Sequence, residues 1–240
     1  MNNDALASTL TVNLGCQPGQ RIALLTDDAP FASPDDELPD RIALARAFEA
    51  VAERLGMAAQ VVTYPATGQS GAEPPESVFD AIYPEGFVPF ATGKNLMRAL
   101  LQKQLDDDGQ AVLGAWLETQ TPRFDAMLVL SRFSLSHTRF RNLLTRYTPL
   151  RAATMPGVEP FMFDGVMTAD WPAVAQRSIA VARLLSRASS ARIESAGGRI
   201  LTCSLAGRTG LADTGIIDQP GGFGNLPGGE AFIAPLEGTA

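Results

Sequence analysis

The chain has 240 residues, of which 45% are hydrophobic and 19% are charged, so a core of normal size needs no disulfide or metal staples. Its 26 acidic and 19 basic residues give a formal charge of −7. This balance argues against nucleic acid or an anionic membrane as the main partner, because phosphate binding needs a basic face. No signal-peptide pattern or membrane-length apolar run is visible, and Cys16 and Cys203 form no CxxC motif. We therefore expect a cytoplasmic protein with reduced thiols.

The first part of the chain alternates short apolar runs with amphipathic segments, which is typical of βαβ units and a parallel sheet. Helices are predicted over residues 38–56 and after residue 139, and a longer helical region over 94–118 is interrupted near 106–109. Predicted strands cover residues 21–27, 58–65, 124–131 and 151–155. The pattern indicates a doubly wound, Rossmann-like α/β domain over residues 1–165.

The sequence pattern changes in the last third of the chain. A strong amphipathic helix is predicted over residues 169–188, with Pro172 in its first turn. Short β-runs at 191–195, 198–208 and 230–235 follow without helices between them, which favours antiparallel pairing. We expect residues 166–240 to be the start of a second, β-rich (α+β) domain that is incomplete.

The segment Ser134-Leu135-Ser136-His137-Thr138 lies where the predicted strand 124–131 leads into a helix. Open parallel sheets bind ligands at this carboxyl edge, and a helix N-terminus there favours an anion. Ser134, Ser136 and His137, the chain's one histidine, are therefore candidate ligand-binding residues. The alternative is that a serine caps the helix and the histidine makes a local hydrogen bond.

Acidic residues supply the other candidates. Asp27-Asp28, after the first strand, could bind a metal or a ribose, although such pairs are more often solvated turns. The cluster 106–108 is interpreted as a helix cap or a solvated face. Glu230 follows the turn Asn225-Leu226-Pro227-Gly228-Gly229, whose proline and glycines can fix the direction of the carboxylate. Such a carboxylate can ligate a metal or act as a base, but a catalytic metal usually needs three or more protein ligands.

The segment GNLPGGEAFIAPLEGTA, from residue 224 to the end of the chain, resembles a strand motif of the thermophilic-type metallo-aminopeptidases, the aminopeptidase T and S group. The segments SLSHT, RAATMPGVEP, QPGQRIALLTD and GRILTCSLAGR are similar to that family in the same order. The resemblance covers nearly the whole chain and implies an α/β N-terminal domain with a C-terminal catalytic domain. Family members use a pair of divalent metals, zinc or cobalt, to remove N-terminal residues from peptides.

The resemblance implies that Glu230 is the first metal ligand in chain order. The later ligands have no counterpart in this chain, so it would bind no metal and cleave no peptide alone. It also implies a peptide partner and a homodimer. An ending inside the motif favours a fragment of a longer enzyme over a natural short relative.

Two other functions are compatible with the residues. A short relative could bind peptides without cleaving them, for example as a helper in the maturation of peptide natural products. A small-ligand α/β domain could instead use the edge at residues 134–138.

Overall fold

The computed structural model describes residues 2–28 and 41–239. The predicted helix at 38–56 corresponds to α2, and residues 38–40 lie outside the described part of the chain. The helices are α1 (Asn3–Ser8), α2 (Arg41–Arg54), α3 (Glu76–Ile82), α4 (Phe87–Gly93), α5 (Met97–Leu101), α6 (Asp107–Glu118), α7 (Arg139–Tyr147) and α8 (Trp171–Arg187). The strands are β1 (Arg21–Asp27), β2 (Ala58–Tyr64), β3 (Ala126–Leu130), β4 (Arg151–Thr154), β5 (Ser190–Glu194), β6 (Ile200–Ser204), β7 (Leu211–Asp213), β8 (Phe223–Asn225) and β9 (Glu230–Phe232).

Five parallel strands form the central sheet in the order β2-β1-β3-β4-β8, and helices flank it. The predicted α/β class with a doubly wound parallel sheet is confirmed. The chain moves from β1 outward to β2 and then crosses back to β3, so the direction of winding reverses between β1 and β3. Ligand crevices in open parallel sheets form at such a reversal, outside the carboxyl ends of the strands.

The inner strands of this sheet are almost entirely apolar because both of their faces are covered. All five residues of β3 are buried, and so are six of the seven residues of β1. A cluster of aromatic rings, Phe79, Tyr83, Phe87 and Phe140, packs beside the sheet. The Tyr83 hydroxyl donates to the Phe140 carbonyl at 2.7 Å, so the cluster also fixes the first turn of α7.

The helices between β2 and β3 pass over this core. The predicted region 94–118 is divided into α5 and α6, and Asp106 caps α6 by accepting from the Gly109 amide at 2.8 Å. Capping satisfies an otherwise unpaired amide in the first turn of a helix. This assigns the acidic cluster at 106–108 its structural role.

The chain divides into two compact units, residues 1–169 with 217–227, and residues 170–216 with 228–240. The first unit therefore includes β8, which pairs in parallel with β4. In the second unit, β5 pairs with β6 and β7 pairs with β9, both antiparallel, as predicted for this part of the chain. Asp170 caps α8 by accepting from the Ala173 amide at 3.1 Å.

Candidate functional site

The carboxyl ends of the parallel strands meet at one edge of the sheet, and a buried carboxylate lies at the end of β1. Asp27 accepts from the Arg41 Nε at 3.1 Å and from the Arg132 amide at 3.0 Å, and Asp27 and Arg41 are 2% and 5% exposed. Asp28 beside it is exposed. The oxygens of Asp27 thus hold the loop after β3 in place, which gives this acid a structural role rather than the metal or ribose role considered for it.

Next along the same edge, four polar side chains form one network. The Ser136 hydroxyl lies 2.8 Å from the Thr154 hydroxyl and from the Asn225 Oδ1, and the Ser134 hydroxyl donates to it at 2.8 Å. Thr154 also donates to the Asn225 Oδ1. The three hydroxyl protons are therefore shared among these four side chains. The network joins the loop after β3 to the ends of β4 and β8.

An open pocket with a volume of about 390 Å³ lies beside this network, at the start of α7. Its charged side chains come from three separate parts of the first unit: Glu73 before α3, Lys103 after α5, and Arg139 and Arg141 on α7. His137, Thr138 and Asn142 complete the lining. Three cationic side chains and one carboxylate make the pocket locally positive, in contrast to the acidic chain as a whole.

The carboxylate of the pocket, Glu73, is hydrogen-bonded to the first turn of α7. Glu73 accepts from the Arg139 amide at 2.6 Å and from the Phe140 amide at 2.9 Å, so it occupies the positive end of α7. Burial raises the pKa of Glu73, and these two hydrogen bonds oppose that rise. Because the helix end is already filled, an anion in the pocket would meet the side-chain cations rather than the free amides of α7.

Two of these cations are held in fixed positions. The Arg139 Nη1 donates to the Gln110 Oε1 at 2.7 Å. The Arg141 Nε donates to the Ser136 carbonyl at 2.9 Å, and its guanidinium carbon lies 3.8 Å from the centre of the Phe223 ring. Burial lowers the pKa of Arg141. The pocket is thus built on side chains whose orientations are set before any ligand enters.

Lys103 adds a third cation from a strained position. Its backbone φ is 57°, in the left-handed region that glycine adopts most easily, and it follows the C-terminal end of α5. A side chain at such a position costs about 1 kcal/mol or more relative to glycine. Lys103 thus places its side chain in the pocket wall from a backbone conformation that does not favour a side chain.

The three ligand-binding candidates in the segment 134–138 have different surroundings in the structure. Ser134 and Ser136 bond to other polar side chains of the protein, whereas His137 is exposed and lines the pocket. The helix cap is Thr138, which accepts from the Arg141 amide at 3.1 Å, so neither serine caps α7 as the alternative interpretation held.

Glu73, Lys103 and the two arginines were not predicted as site residues. The arginines follow the SLSHT segment directly, which is a signal the sequence did carry. Glu73 and Lys103 lie in loops 30 or more positions earlier, and no spacing links them to α7. Only the packing of the intervening helices brings them to the pocket.

Glu230 lies elsewhere, in the second unit. It is exposed at the start of β9, directly opposite Asp213 of β7. Over residues 2–28 and 41–239, no group of three or more His, Cys, Asp or Glu side chains is placed to hold a metal ion. The described residues therefore do not fit a catalytic metal centre, and metal ligation by Glu230 stays a prediction.

No helix in the part of the chain that the structure describes has the length and apolar character needed to cross a membrane.

Comparison with solved structures finds a protein with a similar fold. No family model matches the chain, and no curated protein matches it. A solved structure described as 2,5-dihydroxypyridine dioxygenase from Pseudomonas putida KT2440 matches with a TM-score of 0.53 and 19% identity, over 99% of this chain and 57% of that one. The chain thus spans little more than half the length of that protein, and at this identity the match shows a shared fold.

This finding overturns the resemblance to the metallo-aminopeptidases. A protein that shares the fold over nearly the whole chain is a dioxygenase, and the aminopeptidase, hydrolase and peptide-binding functions drawn from the resemblance were wrong. The physical reason is that the quoted motifs are strand-and-turn segments, whose glycines and prolines specify backbone geometry. One such backbone can support different chemistries, because function depends on the side chains of the site.

Proposed function

We propose that this chain is the ligand-binding α/β portion of an oxygenase-like protein, and that it holds a small anionic molecule in the pocket at the start of α7. The observation that carries the proposal is the convergence of Lys103, Arg139 and Arg141 on one open pocket at the carboxyl edge of the sheet. The oxygenase part rests on the fold shared with the dioxygenase.

The charges of the side chains that line the pocket support an anionic ligand. In a chain of net charge −7, three cations around about 390 Å³ form a local field opposite in sign to that of the whole molecule. Planar guanidinium groups bind carboxylates and phosphates in a bidentate manner, and a lysine adds a mobile point charge. Glu73 sits among them but is bonded to two amides of α7, so it lowers the net positive charge without closing the pocket.

In the proposed site, His137 contacts the ligand directly, and the two serines act by holding other groups in position. His137 is exposed at the pocket wall, where its ring can donate to an anionic group. Ser136 acts through its carbonyl, which receives the Arg141 guanidinium, and through the network that fixes the loop. Ser134 supports Ser136.

Among the residues that the structure describes, no group of side chains is placed to hold a metal ion. This chain's contribution is to bind, orient and neutralise the charge of the ligand. We also propose a cytoplasmic location, for which the support is that Cys16 and Cys203 are buried free thiols.

Isothermal titration with inorganic phosphate, a monocarboxylate, a dicarboxylate and 2,5-dihydroxypyridine tests the binding part. We expect at least one of these probes to bind, and Arg139→Gln and Lys103→Gln each to raise the Kd about tenfold, because each removes a charge-assisted contact. The matched control is Lys94→Gln, which changes the chain's other lysine, an exposed residue over the Phe90 ring. An absence of binding by every probe, or an equal loss in the Lys94 variant, would contradict a specific pocket.

Oxygen uptake in the presence of each probe that binds tests the oxygenase part separately. Uptake that falls in the Arg139→Gln variant would support both parts. Binding without any uptake would leave the anion pocket in place and remove the oxygenase assignment.

A further inference from the structure

Beyond the proposed function, the second unit has a strand edge with which no other described strand pairs. In the two-stranded sheet of β5 and β6, four of the five β5 residues are exposed, and Ile193, the fourth residue of β5, is 60% exposed. Among the described residues, β5 pairs with β6 alone. An exposed edge strand that carries an exposed apolar side chain is a template for pairing with another strand.

The hydrogen bonds show which backbone groups face outward. The Ser195 amide donates to the Arg199 carbonyl and the Leu205 amide to the Ser189 carbonyl, both in register with the ladder. Because hydrogen-bonded and non-hydrogen-bonded positions alternate in an antiparallel pair, Ser190, Arg192 and Glu194 direct their backbone groups away from β6. These outward groups offer a second strand a regular row of donors and acceptors.

The other edge of this small sheet is occupied at one end, at Ser204. On β6, the Ser204 amide donates to the Thr239 hydroxyl at 3.1 Å and its carbonyl accepts from the Leu236 amide at 2.9 Å. The chain's own C-terminal segment therefore lies along the end of β6. Over residues 2–28 and 41–239, no strand pairs with the outer side of β5, so that side offers an edge to an incoming strand.

We infer that β5 pairs antiparallel with β5 of a second copy of this chain, about a two-fold axis at Ile193. The order of charges selects this partner and this register: an axis at Ile193 places Arg192 opposite the second copy's Glu194 and Glu194 opposite its Arg192. An axis at Arg192 or at Glu194 would place like charges opposite each other, which is destabilising. The strand is thus complementary to itself in one register.

The apolar residues fit the same arrangement. Leu201 of β6 lies directly opposite Ile193 and is 47% exposed. Pairing about Ile193 aligns Leu201, Ile193 and their two counterparts in one row across four strands. Ile193 and Leu201 of the two copies then lie next to one another on one face of a four-stranded sheet. The side chains of each copy cover apolar surface of the other copy.

Sedimentation velocity over a range of concentrations tests the inference. We expect the wild-type chain to form a dimer, and Arg192→Glu or Glu194→Arg alone to weaken association about tenfold or more, because each places like charges opposite one another twice. The double change Arg192→Glu with Glu194→Arg restores both opposite pairs and should return the dissociation constant to within about threefold of wild type. Ile193→Lys should abolish the dimer.

Within one chain, Arg192 and Glu194 also form an exposed ion pair, with the Arg192 Nη1 2.6 Å from the Glu194 Oε2. The matched control is Arg46→Glu, which reverses one member of the ion pair Arg46–Glu49 on α2, at a distance of 2.7 Å. It should leave association unchanged, and circular dichroism should show that all variants stay folded. A wild-type chain that is monomeric at about 100 μM, a double variant as weak as the single ones, or a dimer insensitive to all β5 changes would overturn the inference.

Discussion

At the end of β1, one buried carboxylate joins the loop after β3 to the first residue of α2. Asp27 accepts hydrogen bonds from the Arg132 and Phe133 amides and from the Arg41 side chain, with almost no access to water. A charge in this position is stable only because its partners replace the lost hydration. Removing one member of a buried ion pair is far more costly than removing an exposed charge.

We therefore predict that Asp27→Asn lowers the free energy of unfolding by about 3 kcal/mol, because the amide cannot balance the Arg41 charge or accept all of these hydrogen bonds. Asp28→Asn, one position later on the exposed side, should change it by less than about 0.5 kcal/mol. Urea unfolding of the three proteins measures the difference. Equal effects of the two changes would show that Asp27 belongs to a solvated turn.

Residue types in the sequence pointed to one polar segment at the edge of the sheet, and the other side chains around it come from distant parts of the chain. The SLSHT segment lies at the carboxyl edge as predicted, yet the Ser136 hydroxyl bonds to Thr154 and Asn225, which lie on other strands. A single sequence carries no record of such distant pairs. Whether a hydroxyl faces a ligand or another hydroxyl is decided by the packing of the strands around it.

At the scale of the elements, α7 shows how a cap and a site share one helix end. Thr138 accepts from the Arg141 amide at 3.1 Å, while Glu73 takes the Arg139 and Phe140 amides. The first-turn amides that would otherwise be unpaired are thus satisfied by side chains from within and outside the helix. This arrangement fixes the direction of α7 and, with it, the two arginines of the pocket.

We predict that Thr138→Ala destabilises the protein by about 1 kcal/mol, the usual cost of losing a cap, and that Thr138→Ser restores most of the loss. Ser134→Ala, four positions earlier, should leave the cap intact, because that hydroxyl bonds to Ser136. Thermal unfolding followed by circular dichroism distinguishes these variants. A threonine variant as stable as wild type would assign the cap to Glu73 alone.

The elements themselves were predicted where their periodicity was strong. β1 to β4, α2, α7 and α8 correspond to apolar runs or stripes long enough to show a period. β8 was missed because it has three residues, and its contact with β4 joins positions 71 residues apart. The short helices α3 and α4, of seven residues each, likewise show too few turns for a periodic signal.

At the scale of the whole molecule, the two compact units differ in how much apolar surface they bury. The first contains the parallel sheet and the aromatic cluster, with strands β1 and β3 covered on both faces and paired on both edges. In the second, β5 and β6 are mostly exposed, and the apolar residues Ile193, Ile200 and Leu201 are each 47% or more exposed. Local stability follows the number of buried apolar contacts around an element.

We predict that hydrogen exchange reports this difference directly. The amides of β1 and β3 should exchange only through global unfolding, whereas those of β5 and β6 should exchange at least about 100-fold faster through local opening. Exchange followed by mass spectrometry of peptides from each strand measures both rates in one sample. The measurement belongs at a concentration too low for association, because pairing of β5 with a second copy would bury the outward amides of Arg192 and Glu194 and slow their exchange. Equal protection of the four strands at that concentration would show that the two units open as one.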